Sequence, residues 1–76
     1  MWITDARPET PEYDPFDSRL ASRPVRIQTA MGAHYAARWV VYADDGPSCW
    51  ELTGLPGLQL EADEVVAWQP IARLAG

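Results

Sequence analysis

The sequence predicts a mainly β protein: a small antiparallel sheet or half-barrel of four to five strands, with an extended N-terminal arm and at most one short helical turn. Three observations carry that prediction. Val25, Ile27 and Thr29 alternate with Arg26, Gln28 and Ala30, the period of a strand that buries one face. Turn-forming clusters at Met31-Gly32, Asp44-Asp45-Gly46-Pro47 and Gly54-Leu55-Pro56-Gly57 cut the chain beyond Thr29 into segments of strand length. Finally, a large aromatic stands near each end of the chain, Trp2 and Trp68. Burying such a ring contributes roughly 1.5–3 kcal/mol, so both ends are expected to be tied into one small core.

In chain order, residues 1–24 read as a Pro-rich arm packed on the sheet, with Pro8, Pro11, Pro15 and Pro24 set among carboxylates. Each proline removes an N–H donor and biases its predecessor toward extended backbone. Asp14 before Pro15 has the form of a helix start, which predicts one helical turn over 15–20 with Phe16 and Leu20 on one face. Residues 25–71 read as an antiparallel β meander, and 1–76 as one domain. Met31-Gly32 makes a tight turn, since glycine accepts a positive φ. The next strand, Ala33 to Tyr42, sets Tyr35, Ala37, Trp39 and Val41 on one face and His34, Ala36, Arg38, Val40 and Tyr42 on the other. Apolar groups on both faces near Val40 mark it as the central strand. A third strand runs from about Ser48 to Thr53, with Trp50 and Leu52 opposite Cys49 and Glu51. Leu58 and Leu60 are expected to tuck under a loop, before a fourth strand over Val65–Trp68.

Composition excludes several function classes. With one cysteine, Cys49, an intramolecular disulfide cannot form, and no Cys/His cluster suits a structural zinc. No apolar run reaches the ~20 residues of a membrane-spanning helix. The opening lacks the basic and apolar segments of a leader, so the expected location is cytoplasmic, in a bacterial host. Eleven carboxylates face six arginines and no lysine, for a net charge of -5. A direct nucleic-acid binder needs a cationic footprint, so nucleic acid is not the expected ligand and a basic protein is.

No catalytic, cofactor or metal set is expected. His34 is the lone histidine, with no second ligand or base partner in its pattern. Cys49 has carboxylates for neighbours, which disfavour thiolate. The partner-binding candidates are instead the carboxylates Asp44, Asp45, Glu51, Glu61, Asp63 and Glu64, expected to form one acidic rim if the third and fourth strands are neighbours. Tyr13 is added as an aromatic contact, because tyrosine is enriched at binding hot spots. The four tryptophans are expected in the core.

Trp2-Ile3-Thr4-Asp5-Ala6-Arg7-Pro8-Glu9 resembles the Trp-Ile-Ser-x-x-x-Arg-Leu-Pro-Glu opening of a short phage and prophage family of unknown function. Val66-Ala67-Trp68-Gln69-Pro70-Ile71 is similar to that family's His-Trp-Met-Pro-Leu-Pro close, and Ala37, Trp39 and Trp50 are similar in placement. The chain departs from the pattern by lacking a leucine before Pro8, by Ala67 in place of histidine and by an apparent insertion over Asp14–Ser22. The resemblance implies a mobile-element origin. Together with small size, acidity and the lack of a catalytic set, it leads to an expected function. This is a non-enzymatic phage- or prophage-encoded inhibitor of a bacterial defence system, of anti-CRISPR type, which binds a nucleic-acid-binding effector complex through an acidic surface. The alternative is a small phage accessory or regulatory module that self-associates, for example as a homodimer. A minimal enzyme would have to bring His34, Cys49 and a carboxylate together.

Overall fold

Past Pro24, alternation becomes strand, and each strand pairs with the one before it in sequence except the last, which returns to the first of them. The computed structural model describes residues 1–43, 46–55 and 57–71. Among these, seven strands form a single antiparallel sheet: β1 Glu12–Asp14, β2 Arg19–Ala21, β3 Val25–Thr29, β4 His34–Tyr42, β5 Cys49–Leu52, β6 Gln59–Glu61 and β7 Val65–Pro70. A 3₁₀ turn, Ala62–Glu64, joins β6 to β7.

β4 is the organiser. One of its edges pairs with β5; the other pairs with β3 along its first half and with β2 along its second. β2 and β3 thus lie end to end against one strand. They are separated by Ser22–Pro24, three residues set against two on β4, which is a bulge. Ser22 repairs the ladder there. Its N–H donates to Trp39 O at 2.8 Å, and its Oγ accepts the Trp39 N–H at 2.8 Å. Such repair is needed because the extra residue of the bulge takes the regular backbone partner out of line with Trp39.

The inner face is continuous. Val25 and Ile27, Ala37 and Trp39, Trp50 and Leu52, and Val65 form one buried cluster, with Val41, Leu60, Ala62 and Trp68 against its rim. The central stack is Trp39 on Trp50, with ring centroids 4.9 Å apart and planes at 52°. Five strands run in the order β7-β3-β4-β5-β6, and a three-residue turn links the two outermost of them. The sheet must therefore curl, yet it stays open, because β6 and β7 do not pair among the described residues.

The N-terminal arm pairs with the edge of β7 at Ile3 and reaches the inner face at Arg7. Ile3 and Trp68 exchange two backbone hydrogen bonds, at 2.7 and 3.0 Å, and Trp68 Nε1 donates to Ala6 O at 2.7 Å. Pro8 is buried. The Arg7 guanidinium lies 4.9 Å from the Trp39 ring centroid and 5.8 Å from that of Trp50, cation-π geometry with both. The two aromatic ends thus meet, through Ile3 and Trp68.

Three expectations change. The helical turn expected over 15–20 is a hairpin turn between β1 and β2, so the arm ends near residue 11 instead of 24. Asp14 Oδ1 accepts the Phe16 N–H at 2.9 Å, and Ser18 closes the turn at φ 51°. An aspartate that bonds two residues ahead favours a turn over a helix, and Phe16 is left 95% exposed. Leu60 sits in a strand, β6, and not under a loop. The helical turn that does exist, Ala62–Glu64, comes directly after it. The Met31-Gly32 turn is as expected, with Gly32 at φ 88°.

Candidate partner-docking edge

The expected acidic rim rested on the third and fourth predicted strands being neighbours. They are not: β5 pairs with β4 and β6, whereas β7 pairs with β3. Part of the set reaches one edge by another route. In β6, Glu61 stands opposite Cys49 and Gln59 opposite Glu51, so Glu51, Gln59 and Glu61 share the outer face. The 3₁₀ turn then carries Asp63 and Glu64 just beyond the end of β6; Glu61, Asp63 and Glu64 are all exposed.

Glu51 differs from the rest. Arg19 Nη1 reaches it from β2 at 2.8 Å, so its charge is spent inside the fold. The same contact holds the Arg19 guanidinium well above its ordinary pKa, chiefly through the hydrogen bond to Glu51. Glu61, Asp63 and Glu64 have no ion-pair partner among the described residues. Asp44 and Asp45 lie outside the described residues. Tyr13 is exposed on β1, at the far side of the sheet. Its register partners, Leu20 and then Val41, put it on the face opposite Glu51.

Two clefts flank β6. On the outer face, a cleft of about 580 Å³ is lined by Tyr42, Pro47, Ser48, Cys49, Gln59, Glu61 and Asp63 among others. On the inner side, a second of about 360 Å³ is walled by Met31, Ala33, Tyr35 and Leu60, with Glu64 at its margin. Leu60 contributes to both. Met31 and Tyr35 are exposed apolar groups with no place in the core cluster.

Sequence reasoning did not anticipate Gln59, Leu60, Met31 or Tyr35 at this edge. Two signals were available. Leu58-Gln59-Leu60-Glu61 alternates after Gly57, as an edge strand does. Charge is also partitioned along the chain: residues 1–43 hold five carboxylates and five arginines, whereas residues 44–76 hold six carboxylates and only Arg73. The entire net charge of -5 therefore belongs to the second part.

The groups that a minimal enzyme would need stay apart. His34 opens β4 and lies exposed, its ring 5.2 Å from Trp2. Cys49 pairs with Val40, six residues further along the same strand. At ~3.3 Å per residue the two are separated by about 20 Å, beyond direct proton transfer. Burial raises the Cys49 pKa, nearby Glu51 raises it further, and Arg19 offsets part of this. Among the described residues no group of three His, Cys, Asp or Glu side chains gathers as a metal site, and no helix is long and apolar enough to cross a membrane. No family model, curated protein or solved structure matches the chain.

Proposed function

We propose that the protein is a non-enzymatic binding protein that docks on a basic protein surface through the β6–3₁₀ edge. Its concrete form is a phage- or prophage-encoded inhibitor of a bacterial defence system, of anti-CRISPR type, whose target is a nucleic-acid-binding effector complex. The observation that carries this reading is the cluster of Glu61, Asp63 and Glu64 around two clefts, unneutralised by any ion pair among the described residues. A surface of one sign beside low-dielectric walls attracts a partner of the opposite sign and speeds its encounter. Duplex DNA carries a charge every ~1.7 Å of axis, so three carboxylates compete with it by occupying part of a cationic channel and not by copying its length.

The test uses purified guide-loaded CRISPR effector complexes and their target duplexes. Saturating protein is expected to suppress target binding or cleavage by at least one of them, less so as salt rises, and the combined Glu61→Gln, Asp63→Asn, Glu64→Gln variant is expected to lose that suppression. Unchanged target binding and cleavage across the panel would sink the inhibitor reading. The second reading, a self-associating phage accessory or regulatory module, is favoured by exposed Met31, Tyr35, Leu55 and Leu58. Sedimentation equilibrium separates the two: a dimer that strengthens with salt supports apolar self-association, and a monomer at all salt concentrations excludes it.

A further inference from the structure

We infer that β6 is an acceptor for strand addition, and that it takes an extended segment of a protein partner in which basic and apolar side chains alternate. This rests on the proposed docking function, since it names how the same edge would hold its basic partner.

Leu58 O accepts the Leu52 N–H at 3.1 Å, and Leu60 faces Trp50 in register. Antiparallel pairs alternate between hydrogen-bonded and non-bonded positions. Bonds toward β5 therefore fall at Leu58 and Leu60, while the N–H and C=O of Gln59 and the N–H of Glu61 point away from the sheet. Among the described residues nothing pairs with them, and such groups template another strand unless the edge is blocked. The other two sheet edges differ. β7 is covered at Trp68 by Ile3, and β1 presents Glu12 and Asp14, with Glu12 held by Arg38 at 2.9 Å.

Side chains then select the occupant. Residues of an added strand point alternately to the two faces. Those on the outer face would enter the cleft beside Glu61 and Asp63, where lysine or arginine finds its counter-charge. Those on the inner face would meet Leu60, Met31, Tyr35 and Ala33, which suit an aliphatic side chain. In strand addition, main-chain bonds give affinity and alternate pockets give specificity; β6 offers both within three residues.

The test is a titration of the ¹⁵N-labelled full chain with an acetylated, amidated heptapeptide of alternating arginine and valine. A peptide of the same composition, with arginines and valines in separate blocks, is the control. The alternating peptide is expected to shift the Gln59 and Glu61 amides, to slow their hydrogen exchange, and to bind about tenfold more tightly than the block peptide, because only alternation puts arginines on one face and valines on the other. N-methylating the alternating peptide along one edge should abolish binding, and along the other edge leave it intact. Gln59→Pro removes an outward N–H and no internal bond, so it is expected to weaken binding about tenfold with the amide spectrum otherwise preserved. Equal binding by both peptides, or binding indifferent to N-methylation on either edge, would overturn strand addition. If either occurs while the effector complexes are still inhibited, the docking reading stands and only its mode is wrong. Self-pairing of β6 in a second copy would appear as the same amide protection without peptide, and would equally overturn the proposal.

Discussion

The two outer strands of the five-strand path, β7 and β6, meet the same problem and treat it in opposite ways. β7 is closed by the N-terminal arm: Ile3 pairs with Trp68, the Trp68 indole holds Ala6, and Arg7 lies on the tryptophan stack. β6 is three residues long, flanked by clefts and followed by acids with no ion-pair partner among the described residues. The arm thus protects one edge, while the other has no further strand against it among the described residues. Covering an edge removes a site for mispairing, and the open edge beside its own acids is the one the proposed docking uses.

Substitution at Trp68 is the most direct way to break the comparison. Trp68→Ala removes a half-buried ring and the anchor of the arm, with an expected loss of about 3 kcal/mol, read from urea unfolding. Ile3 should then lose its protection from hydrogen exchange. Ser22→Ala comes next, because it leaves the Trp39 N–H inside the bulge without its acceptor; about 1–3 kcal/mol is expected, from the same measurement. Leu60→Ala, on the open edge, should destabilise by about 1–2 kcal/mol, since the side chain is only partly buried. If Leu60→Ala costs as much as Trp68→Ala, the two edges are equally structural and the contrast fails.

Arg19→Met should change stability by about 1 kcal/mol or less, because the ion pair with Glu51 is partly exposed. It would also add Glu51 to the unneutralised acids, so it should strengthen binding of the alternating peptide at low salt. The smallest effect concerns Cys49. Its folded pKa is raised by burial, so the folded state keeps its proton after the unfolded chain has released one. Stability is therefore unaffected by this group at neutral pH. It falls as pH climbs past the ordinary thiol value, about 8.5, until the folded thiol ionises as well. Cys49→Ser should flatten that decline, and iodoacetamide should modify the native thiol more slowly than a free one at pH 8.5.

Alternation was legible wherever an inner residue was large. Val25, Ile27, Trp39, Trp50 and Leu52 stand on the expected face because a one-residue slip would turn each of them to solvent. Short edge elements were not. Glu12–Asp14 and Arg19–Ala21 are too brief to show a period, and prolines around them argued for an arm. Asp14 fits a helix start and a turn equally well by residue type. The candidate site is half legible: Glu61, Asp63 and Glu64 read as acids, but so does Glu51, which Arg19, 32 residues away in sequence, neutralises. Tyr13 lies on the opposite face from Glu51 because its register partners reach Val41, a pairing its residue type does not reveal.

Sequence alone determined the β class, the central strand, the buried faces and the excess of carboxylates, since these depend on side-chain type and a period of two. Among the described residues, tertiary structure decided which acid is paired, which edge is covered and which is open. Those outcomes depend on strands distant in the chain coming together, and on Ile3 reaching Trp68 across 65 residues. Local pattern contains no record of that meeting, because ion pairs and edge coverage arise only when the curled sheet closes the distance.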